Sequence, residues 1–131
     1  MGKRQQTEGK VSMDAIKTKT VVFKMTDGRK PTRQGAARSF NLRSPIDITL
    51  TPNSERTLDL GISCDHPVHV FQASGPLSQG VVLIDTSDST VDSNVPLKIK
   101  IKNTSNEQVF FGEGETLARC SILDDSEWEL A

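Results

Sequence analysis

The chain contains no tyrosine, and aromatic residues make up only 5% of its 131 positions. A core with so few rings must be aliphatic, so Val, Ile and Leu are expected to fill it. No apolar run approaches the roughly 18 residues that a membrane-spanning helix needs, so no membrane partner is expected. The N-terminal residues lack an apolar h-region, so no secretory signal is expected either. There are two cysteines, Cys64 and Cys120, far apart and without CxxC spacing. Even with His66 and His69 they do not reproduce the ligand spacing of a zinc site, so both are read as small apolar core residues. No disulfide framework is implied, which favours a reducing compartment such as the cytoplasm or nucleus. No nucleophile elbow, P-loop or paired-His motif occurs. Asp85, Asp88, Asp124, Asp125, Glu127 and Glu129 lack calcium-loop spacing and read as a solvated acidic surface, so no metal or cofactor is expected.

What the chain does have is charge asymmetry. Residues 1–45 carry 11 Lys/Arg against 3 Asp/Glu, whereas residues 46–131 carry 5 against 14. Basic segments of this kind meet nucleic acid or an acidic protein surface, and Lys3, Arg4, Lys10, Arg29, Lys30 and Arg33 are the candidates for nucleic-acid contact. The alternative is a solubilising tail, or one lying on the acidic body of a neighbouring subunit. Residues 1–18 are polar and lack periodicity, so they are expected to be a flexible basic arm. Residues 19–123 are expected to form one β domain, and residues 124–131 an acidic C-terminal tail.

Short apolar runs recur along the domain, separated by turn signals. A strand is expected over 19–26, ending at Asp27-Gly28. Two strands broken at Pro45 follow, carrying Phe40, Leu42, Ile46, Ile48 and Leu50. RTLDLGISC alternates with Leu58, Leu60 and Ile62 on one face, and further strands are read at Val68–Gln72 and Gly80–Ile84. PLKIKIKNTS puts Leu97, Ile99 and Ile101 on one face and Lys98, Lys100 and Lys102 on the other. It lies between an Asp-bearing turn at Asp92 and a Gly-Glu-Gly turn at 112–114. No helical period appears after residue 20. Strands spaced 8–12 residues apart predict an all-β sandwich or barrel, and the pattern does not choose between a jelly roll and an immunoglobulin-like sandwich.

Five stretches in order resemble the motifs of the trimeric dUTPase family: PTRQGAARSFNLRSPIDITLTPNSE, TLDLGISCDHP, QASGPLSQG, TVDSNV and GETLARCSI. The resemblance spans about residues 21–123. It implies a distorted jelly roll and a homotrimer. It also implies a set of departures from the family's site. Asn41, after Phe40, stands where the family has an Asp that helps hold hydrated magnesium, so Mg2+ is expected only if the protein is an enzyme. Ala73 replaces a phosphate-binding Arg, leaving Ser74 and Gly75. Asp92 matches the Asp that orients the attacking water. Ser89 and Leu97 replace the glycines of the hairpin that receives uracil, and Val95 replaces the Tyr beneath the deoxyribose. Glu115-Thr116 replaces an Asp-Arg pair, and Arg119 replaces a Gln. The family's Gly-rich C-terminal arm has no counterpart in DDSEWELA.

Removing one preorganised electrostatic donor costs roughly 10²–10³ in rate, so several losses together predict no useful turnover. Asn41, Ser74, Asp92 and Arg119 are therefore read as vestigial. The expectation is a pseudoenzyme acting as a structural or protein-interaction module, of a kind found in viruses as accessory or capsid-associated proteins, inside a cell or a virion. Lys98, Lys100, Lys102 and Trp128 are its candidate contact residues. The alternatives are a divergent dUTP or nucleotide hydrolase, and a nucleic-acid-binding oligomer acting through the basic N-terminal third.

Overall fold

The computed structural model describes residues 19–33, 39–84, 90–123 and 128–130. Lys3, Arg4, Lys10, Asp85, Asp88, Ser89, Asp124, Asp125 and Glu127 lie outside these residues.

The strands, in chain order, are β1 (Lys19–Val21), β2 (Phe23–Met25), β3 (Thr32–Arg33), β4 (Ser39–Arg43), β5 (Ile48–Leu50), β6 (Glu55–Cys64) and β7 (Val68–Gln72). A single helical turn, α1 (Ser74–Ser78), follows. Then come β8 (Val81–Leu83), β9 (Thr90–Val91), β10 (Pro96–Asn103), β11 (Val109–Phe111), β12 (Thr116–Ile122) and β13 (Trp128–Leu130). They form a four-stranded sheet in the order β2-β6-β10-β8 and a five-stranded sheet in the order β3-β4-β12-β7-β9. β5 pairs with β11, and β1 pairs with β13. All these pairings are antiparallel except β1 with β13. The expected all-β architecture is what these residues adopt.

Alternation sets which side chains enter the core. Leu97, Ile99 and Ile101 are buried from one face of β10, and Phe40, Leu42, Leu117 and Cys120 are buried from the five-stranded sheet. Each such aliphatic side chain contributes about 1.5–3 kcal/mol by leaving water. Phe23 meets Phe40 edge-on with ring centroids 5.6 Å apart, joining one sheet to the other. Both cysteines are free thiols buried in this core.

Three local features depart from the simple alternation. The strand expected over 19–26 breaks at Val22, where the chain passes from the β1–β13 pair to the four-stranded sheet. The segment around Ser74, where no helical period was expected, winds into α1, with the Leu77 amide donating to the Ala73 carbonyl at 3.3 Å. A one-turn helix is too short to show a period, and its Pro76 sits where no intrahelical N–H is needed. Within the stretch read as an acidic tail, Trp128–Leu130 form β13, and Leu130 packs against the core.

One close approach fixes the first turn. Gly61, with φ +71°, bulges out of β6, and its carbonyl accepts from the Thr26 amide at 2.8 Å and the Gly28 amide at 3.1 Å. A Cβ on Gly28 would lie 2.0 Å from the Leu60 carbonyl oxygen, so only glycine fits.

Candidate functional site

The outward face of the five-stranded sheet carries Asn41 and Arg119, two of the four residues read as vestigial. Register sets two rows across it. In one, Thr32 lies opposite Asn41, Asn41 opposite Arg119, and Arg119 opposite Phe71. In the next, Ser39 lies opposite Ser121, Ser121 opposite His69, and His69 opposite Thr90. Their strand neighbours Phe40, Leu42, Val70 and Cys120 point the other way and are buried, as a period of two demands.

One end of this face opens into a cleft of about 430 Å³ lined by Arg33, Asn41, Ala73, Ser74, Gly75, Pro76, Thr116 and Arg119. Asn41, Ser74 and Arg119, far apart in the chain, thus come together. The Asn41 amide donates to Thr32 Oγ1 at 3.2 Å. The Arg119 guanidinium donates to Ser39 Oγ, and its carbon lies 5.9 Å from the centroid of the Phe71 ring. Arg119 Nε is buried and has no hydrogen-bond partner. The Phe71 ring is nearly parallel to that of His69, at 18° and 6.0 Å between centroids. Phe71, Thr32 and Ser39 carried no signal in the sequence, because their roles come from cross-strand register. Arg33, one of the candidates for nucleic-acid contact, joins the cleft.

Asp92 does not line this cleft. It begins the turn from β9 to β10, with the Val95 amide donating to the Asp92 carbonyl at 3.3 Å and Asn94 at φ +63°. On either side of this turn, β9 pairs with β7, while β10 pairs with β6 and β8. The turn therefore crosses between sheets. Val91 lies opposite Val68, which lies opposite Ile122, so strand spacings put the Asp92 backbone roughly 15 Å from that of Arg119.

The Gly112–Glu115 turn is stitched to its surroundings. The Glu115 amide donates to the Gly112 carbonyl at 3.1 Å, and the Gly112 amide donates to the Glu115 carboxylate. The Glu113 amide donates to Asp47 Oδ1 at 2.7 Å, and Arg29 pairs with the Glu113 carboxylate. Arg43 Nε donates to the Gly114 carbonyl at 2.9 Å, and its Nη1 donates to the Lys30 carbonyl at 3.3 Å. Glu115 and Arg29 thus hold this turn together.

The donors at the cleft do not suit a hydrated magnesium ion. Such an ion wants carboxylate oxygens, whereas the cleft offers an amide, hydroxyls and two guanidiniums. Among the described residues no group of three or more His, Cys, Asp or Glu is placed to hold a metal.

Lys98, Lys100 and Lys102 lie on the other sheet, in an interior strand. Register sets them beside Asp59, Thr57 and Glu55, and Lys100 Nζ is 3.5 Å from Glu55 Oε1. Trp128 lies in β13, opposite Lys19.

No protein-family model matches the chain, and no curated protein matches it. Solved structures do. The dUTPase of Staphylococcus bacteriophage 80alpha superposes with a TM-score of 0.67 at 16% identity, over 85% of this chain and 94% of that one. It is described among phage dUTPases that control transfer of virulence genes. A mutant dUTPase of phage phi11 of S. aureus, reported for its structural Mg(II) ion, gives 0.67 at 17% identity over 85% and 94%. The EIAV dUTPase gives 0.64 at 15% identity over 79% and 88%. The fold of this chain is therefore that of the dUTPases.

Proposed function

We propose that the protein is a non-catalytic dUTPase-like module that works by binding. The observation that carries this reading is the make-up of the cleft. It has Asn41 where the resemblance calls for a carboxylate, Ala73 in place of an Arg, and Asp92 outside it. Phosphoanhydride hydrolysis needs charge neutralisation together with a base beside an oriented water. Arg33 and Arg119 answer the first need only. That a phage dUTPase of this fold is described as controlling gene transfer supports a regulatory or interaction role. The homotrimer and the viral setting implied by the resemblance belong to the same proposal.

The competing reading, a divergent nucleotide hydrolase, draws support from those two cations. Because Asp92 stands away from the cleft, it requires a second copy to bring its Asp92 to the first copy's Arg119. The test is incubation of purified protein with dUTP and magnesium, with pyrophosphate measured. No release above a protein-free control is expected. Release that Asp92→Ala abolishes would establish the hydrolase instead.

A further inference from the structure

We propose that the outward face of the five-stranded sheet binds single-stranded nucleic acid, with Arg119, and Arg33 in the cleft at one end of that face, taking phosphates and the exposed His69 ring, backed by Phe71, taking a base. This goes beyond the non-catalytic reading and stands separately from it.

Charge points to this face. The two rows Thr32–Asn41–Arg119–Phe71 and Ser39–Ser121–His69–Thr90 contain no carboxylate. Yet residues 46–131 as a whole carry 14 Asp/Glu against 5 Lys/Arg. The outer face of the four-stranded sheet differs: Lys100 pairs with Glu55, and register sets Lys98 and Lys102 opposite Asp59 and Glu55, so carboxylates are interspersed among its lysines. A polyanion would be repelled by most of the body and received on the five-stranded sheet.

The shape fits a single strand better than a duplex. Three planar groups follow one another across the face: His69, then Phe71 within 6.0 Å, then the Arg119 guanidinium at 5.9 Å. Unstacked bases lie on aromatic and guanidinium planes, which a paired duplex does not present to a flat sheet. His69 is exposed, so its ring is accessible to a base. Arg119 anchors to Ser39 Oγ while its Nε has no partner, so turning the guanidinium toward an oxyanion sacrifices no Nε bond. The Ser74 and Thr116 hydroxyls beside it offer further hydrogen bonds to phosphate or sugar.

The test is fluorescence anisotropy of the full chain with labelled oligo-dT of about 20 nucleotides, longer than a typical single-strand site, and with a duplex of equal length. Wild type is expected to bind the single strand more tightly. Arg119→Gln should weaken binding about tenfold and reduce the slope of log K against log salt by about one. His69→Ala should weaken binding about tenfold with the slope unchanged, and His69→Phe should restore it. Lys98→Ala, and the combined Lys3→Ala, Arg4→Ala and Lys10→Ala variant, should bind as wild type. Should Arg119→Gln fail to fold, the exposed His69 variants carry the test. Absence of binding at low salt, equal or better binding to duplex, or loss of binding only in the Lys3/Arg4/Lys10 variant would each overturn the proposal. The dUTP assay reads the catalytic question independently.

Discussion

Asp65 and Val22 hold each other by both backbone and side chain. The Asp65 amide donates to the Val22 carbonyl at 3.1 Å, and the Val22 amide donates to Asp65 Oδ1 at 3.0 Å. The same carboxylate oxygen lies 2.7 Å from His66 Nδ1. Val22 is the residue at which the chain leaves β1 for β2, and β1 is the partner of β13. One aspartate thus secures the point where both ends of the domain meet.

Asp65→Ala is therefore expected to loosen the β1–β13 pair without unfolding the sandwich. A net hydrogen bond is worth about 1 kcal/mol, so amides at Val22 and in β13 should exchange about fivefold faster. Hydrogen exchange with residue resolution measures this, and unchanged protection would show that the clasp is idle.

Gly28→Ala is expected to be severely destabilising. Its Cβ would meet backbone oxygen at 2.0 Å, and that oxygen belongs to β6, at the centre of the four-stranded sheet. The cost should be about 2–3 kcal/mol, because backbone must shift. Gly75→Ala, which meets nothing within 4 Å, is the control and should stay close to wild type. Urea unfolding of the two variants provides the comparison.

Asn103→Leu is expected to cost about 2–4 kcal/mol despite adding apolar volume to a buried position. Its Nδ2 donates to the Leu50 carbonyl at 3.0 Å and the Glu107 carbonyl at 2.7 Å. Its Oδ1 accepts from the Ser105 amide at 2.9 Å and the Ser105 hydroxyl at 2.7 Å. Leucine removes these four bonds, and the Ser105 hydroxyl and Glu107 carbonyl keep each other, at 3.0 Å; desolvated polar groups left without a partner cost more than a bond gains. Calorimetric melting would detect the loss.

The cysteines predict an alkaline weakness. Burial pushes the Cys64 thiol up to about 11 and the Cys120 thiol up to about 12, from an ordinary value of 9.0. Above pH 9 the unfolded chain releases protons that the folded chain keeps, so stability falls with rising pH. This contribution is fully present below pH 9 and is lost as pH climbs through about 11–12. Cys120→Ala should flatten the fall in denaturation midpoint over that window. A slope identical to wild type would contradict it. Native protein should also leave Ellman's reagent unreacted at pH 8, because the thiolate is the reacting form.

Much of this molecule was legible from its residues alone. Alternation in PLKIKIKN puts Leu97, Ile99 and Ile101 inward because a strand's side chains alternate faces, and the structure obeys it. The break at Pro45 separates β4 from β5, since proline cannot continue a hydrogen-bonded ladder. That residue 41 is an asparagine and that the chain holds no tyrosine are chemical facts needing no coordinates. Tertiary structure decided what stands beside what. Arg119 meets Asn41, Ser39 and Phe71 through pairings between distant strands, and nothing near Arg119 in the chain encodes those partners. The turn at Asp92 is legible locally, but that it crosses between sheets is decided by the partners its flanking strands find. The stretch ending in Trp128-Glu129-Leu130 reads as an acidic tail, but backbone groups of β1 draw it into a parallel pair. Local periodicity is written in side chains, whereas strand pairing is settled by which apolar faces can be buried together.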